Sequence, residues 1–511
     1  MNLPWNNLVK SALIGTDRTS DGVIEDPVIQ QFLTDNSVST EEKYLEAATY
    51  MYHLKTAGYK PAKFEGKPKA FDGNKTGEDI GLAASGDLKE ILYGPFESAL
   101  PEFLLILKTS GKRLPDEMLP DILDICRSKP AIQNLLNAVL DEKASWLISK
   151  NPDWNYFSIQ PMLEYWQTGN KKQRIDLIRS LRETDPPHAI TLIRSTWEVD
   201  SLQDKQDFLK LLIVGLSMGD EPFLEFCLDF RRKEIRKLAA RLLAMLPGSE
   251  LSSRVFNRLK KLLVLKRAAG TKPKLSVSLP EKCTPEMIRD GIDPAAQWFK
   301  GGVKVSRLGQ MISITPPARW EEAFEMDSAD CLRVFVRSEW SEMLVQALIE
   351  SSALHENEAW MIALLDFGFT NKEKSRFQNL NFNPIFPQLS QKAFQKVSDK
   401  WIASEKDLLP EGHLACQILK KTELNWSNKL TLSVTAALSR WMGFETSRYW
   451  NGWHYRSLLK KAAYQSNPRI VDKIEFIWPR NSRIWQSWEK EVTEFLDVLK
   501  FRKKFNHNIQ N

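Results

Sequence analysis

The sequence predicts an all-α fold, built as a helical-repeat array in two halves. Three observations predict this class. Apolar residues recur every three or four positions through most of the chain, which is the spacing of a buried helical face. The alternation of apolar and polar residues that marks a half-buried strand is scarce. The chain has 511 residues, and this length exceeds what a single hydrophobic core usually holds.

The stretch from Gly219 to Arg254 has the pattern of a complete helical hairpin. Gly219 is a suitable stop for the preceding helix, Asp220 is a suitable N-cap for the next one, and Pro222 falls in its first turn. After a polar turn, a second helix carries its apolar residues at helical spacing. These residues are Ile235, Leu238, Ala239, Leu242, Leu243 and Leu246.

The turn and second helix of this hairpin resemble a HEAT-type repeat, with Asp229 in the turn and Arg236 early in the second helix. In such repeats these two residues commonly pair with neighbouring units, so the resemblance implies a HEAT-like α-solenoid. The sequence at 220–222 also repeats the pattern at 185–187, an offset of 35 residues that suits a helical solenoid. An ordinary helical hairpin inside a single bundle is the alternative.

Changes in composition divide the chain into three parts. Residues 1–267 are predicted as an N-terminal helical-repeat domain, with a mobile loop at about 59–86 that is rich in Lys, Gly, Pro and Asp. Residues 268–318 are dense in Gly and Pro, and we interpret them as an irregular connector. Residues 319–511 are predicted as a C-terminal helical domain rich in Trp.

Composition predicts a cytoplasmic protein that is not in a membrane. Five cysteines stand far apart with no CxxC, which suits a reducing compartment. No run of about 18 apolar residues exists, and residues 1–20 do not read as a secretory signal. The 71 basic and 65 acidic residues give a formal net charge of only +6, which does not mark a nucleic-acid binder.

Several short motifs lie along almost the full length of the chain. They are ALIGTDR at 12–18, Trp146-Leu147, Asn151-Pro152 with Trp154, the 220–225 segment, Pro316-Pro317 with Trp320, and Phe501-Arg502. Together they resemble an uncharacterised bacterial family of unknown function. Genes of that family often lie beside genes for MoxR-type AAA ATPases, von Willebrand factor A domain proteins and SWIM zinc-finger proteins. The resemblance implies a helical-repeat component of an ATPase-linked system, and it supplies no catalytic residue.

The usual catalytic signatures are absent from the sequence. It contains neither a G-x-x-x-x-G-K-[ST] phosphate loop nor a G-x-S-x-G nucleophile motif. His355-Glu356 begins like a zinc-binding H-E-x-x-H helix, but Ala359 occupies the place of the second histidine. We therefore predict no cofactor, no metal and no enzymatic activity. A site assembled from distant residues stays open.

A basic helix at 252–267 is the first segment predicted to contact a partner. Arg254, Arg258 and Lys261 lie along one side of it at helical spacing, and the chain has no acidic residue between positions 251 and 280. Such a surface suits an acidic protein surface or the phosphates of a nucleic acid. A solvated helix face followed by a linker is the alternative.

Two turns are also predicted to contact a partner. One contains Asp229 and leads to Arg236, and the other is Thr16-Asp17-Arg18. In the second turn the charged side chains could form a hook for a partner or a phosphate. Local turn bonds made by Asp17 and an ion pair made by Arg18 are the alternative.

These observations favour a non-enzymatic scaffold or adaptor that presents a helical-repeat surface to a protein partner. The family resemblance implies a MoxR-type AAA ATPase or a von Willebrand A domain protein as that partner. A nucleic-acid-binding helical-repeat protein, using the basic helix and the aromatic C-terminal half, is the alternative. An enzyme with an unrecognised site is a second alternative.

Overall fold

The chain divides into two compact units, Met1–Asp72 and Gly73–Asn511. The structure is a computed structural model. It describes residues 37–57, 71, 73, 77–151, 153–154, 163–370, 377, 379–403, 409–443 and 453–510.

The described part of the first unit holds one helix, α1 (Thr40–Ala57). It begins with a capping box, because the backbone N–H of Ser39 donates to the Glu42 carboxylate and the N–H of Glu42 donates to the Ser39 hydroxyl. The predicted partner-binding turn Thr16-Asp17-Arg18 lies outside the described residues.

The second unit confirms the predicted all-α class. Among its described residues, paired strands are confined to one two-stranded hairpin. The first helices of this unit enclose an apolar cluster that includes Leu88, Phe103 and Ile122. They are α2 (Leu82–Tyr93), α3 (Leu100–Ser110), α4 (Leu119–Cys126), α5 (Pro130–Asn137) and α6 (Glu142–Lys150).

Helix α2 begins inside the segment 59–86 that the sequence predicts as a mobile loop. Ala84, Leu88 and Ile91 are buried at spacings of four and three residues, so one apolar face already starts in the predicted loop. The exposed Leu82 and the small Gly86 obscure this period in the sequence. Residues 82–86 of the predicted loop are therefore helical. Residues 58–70 lie outside the described part of the chain.

Helices of the middle region recur at a regular spacing. They are α7 (Tyr165–Thr168), α8 (Lys171–Thr184), α9 (Pro186–Thr196), α10 (Leu202–Leu211), α11 (Glu221–Leu228), α12 (Lys233–Ala244) and α13 (Glu250–Leu262). Helices α8, α10 and α12 begin at residues 171, 202 and 233, which are 31 residues apart, and each packs against the next. Helix α11 packs against α12, so the hairpin predicted between Gly219 and Arg254 is confirmed.

The predicted irregular connector, residues 268–318, contains regular structure and lies inside the second unit. Its Pro and Gly residues separate elements too short to show a period, and buried Met287, Phe299 and Leu308 attach these elements to the main apolar core. The elements in and around it are β1 (Leu263–Lys266), which pairs antiparallel with β2 (Lys274–Val277), then α14 (Pro285–Arg289) and α15 (Val303–Ser313).

The C-terminal part continues the same apolar core, which runs from Trp166 to Leu499. Its described helices are α16 (Ala318–Phe324), α17 (Ser328–Val336), α18 (Ser341–Leu354), α19 (Glu358–Thr370), α20 (Gln391–Val397), α21 (Leu414–Lys421), α22 (Asn428–Gly443), α23 (Tyr455–Gln465), α24 (Val471–Ile474) and α25 (Trp485–Gln510).

A buried ion pair joins α8 to the segment that precedes α11. Two nitrogens of the Arg182 guanidinium contact the two carboxylate oxygens of Asp220, at 2.7 and 2.8 Å. The guanidinium also donates to the carbonyls of Leu212 and Val214, at 3.0 and 2.8 Å. Asp220 accepts a further bond from the N–H of Ser217. The sequence predicted that the Asp220 side chain caps α11. The side chain does not do so, because its carboxylate binds the buried Arg182 guanidinium.

The last helix, α25, packs against α2 and α3 near the start of the second unit. Phe501 and Phe505 complete the apolar cluster of the N-terminal helices. Beside them Arg502 pairs with Glu102, at 3.0 Å for Nη2, and also donates to the carbonyl of Ser466 at 2.8 Å. An arginine from one end of the unit thus holds a carboxylate from the other end.

We expect Asp220→Ala to lower the free energy of unfolding by about 3–5 kcal/mol, because it leaves the buried Arg182 guanidinium without its counter-charge. Urea unfolding monitored by circular dichroism measures this change. The matched control is Asp229→Ala, which removes a carboxylate whose side chain is 63% exposed and should cost less than about 1 kcal/mol. Equal losses from the two variants would contradict the structural role of the buried pair.

Candidate partner-binding surface

Two arginines of the predicted basic helix are neutralised inside the molecule. Arg254 and Arg258 lie one turn apart on α13, and both contact Asp290, which directly follows α14. Arg254 Nη2 lies 2.8 Å from Asp290 Oδ1, and Arg258 Nη1 lies 2.6 Å from Asp290 Oδ2. Asp290 is buried, so its charge requires these partners. Neither arginine is therefore a free charge.

Further acidic residues complete what we call the arginine cluster: Arg254, Arg258 and Arg289 with Glu225, Asp229 and Asp290. Arg254 also contacts Glu225 at 2.9 Å. Burial alone would lower the pKa of Arg254, but its hydrogen bonds with Asp290 and Glu225 raise the pKa above the usual value. Three cations face three anions here, so the cluster carries no net charge.

Asp229 forms an ion pair within the arginine cluster. Arg289 donates to its two carboxylate oxygens at 2.7 and 2.9 Å, and the first of these contacts comes from Nε. This hydrogen bonding lowers the pKa of Asp229 below its usual value. The predicted Asp229 turn thus faces α14, and the aspartate is already paired.

Arg236 stabilises the turn that precedes its own helix. One of its terminal nitrogens, Nη1, donates to the carbonyls of Phe230 and Arg231, each at 2.8 Å. These carbonyls lie in the turn between α11 and α12, so Arg236 attaches its own helix to that turn. Among the described residues it contacts no carboxylate, which differs from the pairing that the repeat resemblance implies.

Lys261 belongs to a second group of charges that is not neutralised. Its members are exposed, lie at the end of α13 or on the β1–β2 hairpin, and form no ion pair with any described residue. We call them the lysine surface: Lys260, Lys261, Lys266, Lys272 and Lys274. Lys260 has one contact, with its ammonium 5.1 Å from the centre of the Phe256 ring. The net positive charge of this region therefore comes from lysines.

The hairpin brings like charges together. Lys266 and Lys274 are directly opposite each other in the antiparallel register, while Leu263 and Leu275 are buried on the core side. Like charges at directly opposed positions destabilise a strand pair. Gly270, with φ of +73°, provides the left-handed residue of the turn between the strands. The fold thus places two lysines at directly opposed positions of the hairpin, where a bound anion would offset the repulsion between their charges.

The sequence identified the basic stretch but not the acids that neutralise two of its eight basic residues, Arg254 and Arg258. The stretch 251–280 has no acidic residue, yet Asp290 and Glu225 reach it from other elements. Arg267, at the end of β1, is likewise held, since it donates to the carbonyl of Phe324 and lies 3.7 Å from Glu325.

One cysteine and one histidine that are distant in the sequence meet in the fold. Cys416 Sγ lies 3.8 Å from His454 Nε2, and His454 Nε2 lies 2.9 Å from the carbonyl of Leu409. The carbonyl can only accept, so Nε2 carries the proton and cannot take one from the thiol. Burial raises the pKa of Cys416 to about 11 and lowers the pKa of His454. The pair is therefore neutral and is not an activated thiolate.

Across the described ranges, no group of three or more His, Cys, Asp or Glu side chains is placed to hold a metal ion. No described helix is both long and apolar enough to cross a membrane.

The aromatic residues of the C-terminal half divide between core and surface. Trp478 and Trp488 are buried. Trp453 is exposed, but the Arg456 guanidinium lies 3.9 Å from the centre of its ring and also pairs with Glu491. Packing therefore accounts for these described tryptophans, with indole rings as core filler and one ring covered by an arginine.

These features define an all-α protein in which the arginine cluster is paired internally, while the lysine surface forms no ion pair with any described residue. The chain belongs to DUF5691, a family of unknown function whose profile matches residues 7–509. The membership that the sequence motifs indicated is thereby confirmed, and the link to an ATPase system stays a prediction. No curated protein and no solved structure matches the chain.

We expect Cys416 in the folded protein to react with iodoacetamide at pH 7.5 no faster than Cys126. Both thiols are buried with a pKa of about 11, and thiolate is the reactive form. Mass spectrometry of peptides after timed alkylation measures both rates in one sample, with urea-unfolded protein as the reference for full reactivity. Alkylation of Cys416 ten times faster than that of Cys126 would instead indicate a nucleophilic thiol.

Proposed function

We propose that this protein is a non-enzymatic helical-repeat scaffold that binds the acidic surface of a protein partner through its lysine surface. The observation that carries the proposal is the separation of charges: Arg254 and Arg258 neutralise Asp290, while Lys261, Lys266 and Lys274 have no counter-charge among the described residues. A surface with unneutralised charge attracts an oppositely charged partner and speeds the encounter.

The regular spacing of the middle helices supports the scaffold part of the proposal. Helices α8, α10 and α12 begin 31 residues apart and pack in succession, which is how a solenoid of HEAT-like repeats is built. The Arg182–Asp220 pair joins one such unit to the next. Stacked repeats leave a long surface of helices and turns, and the lysine surface lies directly after the third of these units.

An acidic protein fits the lysine surface better than a nucleic acid does. Proteins that bind single strands combine basic residues with aromatic rings on which bases stack. The face of the hairpin that carries Lys266 and Lys274 presents Val264, which is 46% exposed, and no aromatic ring lies on either strand. The family resemblance makes a MoxR-type AAA ATPase or a von Willebrand A domain protein the expected partner.

We expect the double variant Lys266→Glu/Lys274→Glu to lose at least nine tenths of the partner recovered with the wild-type protein, because two attractive charges become repulsive. Affinity purification from native cells followed by quantitative mass spectrometry measures the recovery. The matched control is Lys89→Glu/Lys108→Glu, which makes the same change of charge at two exposed lysines on α2 and α3. Equal recovery with the two variants would contradict the proposed surface.

A salt titration with single-stranded DNA and RNA of 20 nucleotides tests the nucleic-acid alternative. Under our proposal both bind weakly at 150 mM salt, and the weak binding at low salt disappears as salt rises. Micromolar or tighter binding at 150 mM salt that is lost in Lys266→Glu/Lys274→Glu would favour a nucleic acid as the partner of this surface.

A further inference from the structure

A second surface feature is an open groove between α12, the segment after α14 and the C-terminal end of α18. Its volume is about 670 Å³. Leu238 from α12, Leu354 from α18 and Trp298 from the intervening segment contribute apolar lining. Gly291 has φ of +86°, and a Cβ there would lie 2.5 Å from the Cβ of Ala240. Only glycine lets the segment approach α12 this closely.

Large apolar side chains of the groove are open to solvent. Trp298 is 62% exposed and Ile213 is 55% exposed. The ammonium of Lys237 lies 5.8 Å from the Trp298 ring centre, and this lysine is itself paired with Asp293 at 2.7 Å. Exposed tryptophans that line a concave surface are typical anchors of protein–protein contacts.

The α18 side of the groove carries carboxylates that have no cationic partner among the described residues. Glu350 is half-buried, and among the described residues its hydrogen bond comes from Gln346 Nε2 at 3.4 Å. Glu356 is exposed just beyond the end of the helix, with φ of +48°. Burial raises the pKa of Glu350, although its hydrogen bond with Gln346 acts in the opposite direction. The partial negative charge at the C-terminus of α18 adds to the same potential.

The wall of the groove formed by α12 and the segment after α14 has fewer charged side chains that lack an ion-pair partner among the described residues. Lys237 is neutralised by Asp293, and Asp290 is neutralised by Arg254 and Arg258. Arg241 on α12 is exposed and has no ion pair in the described part of the chain. The free charges are therefore two carboxylates at the α18 end and one guanidinium at the α12 wall. Within the groove, a cation would therefore have its most favourable electrostatic interaction beside Glu350.

We propose that this groove binds an extended peptide segment of a partner protein, in which a large apolar side chain lies next to a lysine or arginine. The apolar side chain packs on Trp298 and Leu354, and the basic side chain pairs with Glu350. The charge of this peptide is opposite to that of the partner surface expected at the lysine surface, so the groove is a separate site.

Selection of random twelve-residue peptides displayed on phage against the full chain tests this site. We expect enriched sequences to contain an aromatic or large aliphatic residue adjacent to Lys or Arg. The most enriched peptide, made with a fluorescent label, should bind at least tenfold more weakly to Trp298→Ala and to Glu350→Gln, as measured by fluorescence polarisation.

Matched controls distinguish specific peptide binding in the groove from non-specific binding. Phe476→Ala removes an aromatic residue that is 84% exposed elsewhere, and Glu489→Gln removes an exposed carboxylate on α25. Both should bind the peptide within twofold of the wild-type protein. The Lys266→Glu/Lys274→Glu variant should also keep peptide binding, which distinguishes failure at the lysine surface from failure here.

Three results would overturn the proposal. They are the absence of an enriched sequence, enrichment of acidic peptides, and peptide binding that Trp298→Ala and Glu350→Gln leave unchanged. Light scattering adds a further test, because a dimer of the wild-type protein that Trp298→Ala abolishes would assign the groove to a second copy of the chain.

Discussion

Buried carboxylates that need a counter-charge determine how the helices of this protein are held together. Asp220 is paired with Arg182, and Asp290 is paired with Arg254 and Arg258. Each pair joins elements that are distant in the sequence, and the partner is an arginine because its planar guanidinium can satisfy several acceptors at once. Because Asp290 pairs with Arg254 and Arg258, the charges of the basic helix that remain for binding a partner are those of its lysines. Packing and function therefore depend on the same interaction.

Local patterns in the sequence predicted the all-α class and the α11–α12 hairpin, since helical periodicity and turn residues act over a few positions. The ion pairs were not predictable in the same way. Glu225 and Asp290 approach α13 only through tertiary folding, and Arg502 meets Glu102 from 400 residues away. The 268–318 stretch was hard to predict for a different reason, because its strands and helices are shorter than the window in which a period can be seen.

On the lysine surface and in the groove, some charged side chains have no counter-charge among the described residues. On the hairpin, Lys266 faces Lys274, and no carboxylate reaches either of them from the described elements. In the groove that the exposed Trp298 also lines, half-buried Glu350 has no cationic partner in the described part of the chain. Under the proposed function, one basic surface and one apolar groove with an acidic end would let the protein hold two chemically different segments. Helical repeats suit this arrangement because they present side chains from many successive elements.

Urea unfolding of two double variants on helix α13 tests the division between structural arginines and free lysines most directly. Arg254→Ala/Arg258→Ala leaves buried Asp290 with only Arg289, at 3.9 Å, and we expect it to lose about 3 kcal/mol or more of unfolding free energy. Lys260→Ala/Lys261→Ala removes the same number of charges from the same helix and should cost less than about 1 kcal/mol. Equal losses, or a larger loss for the lysine variant, would contradict this division.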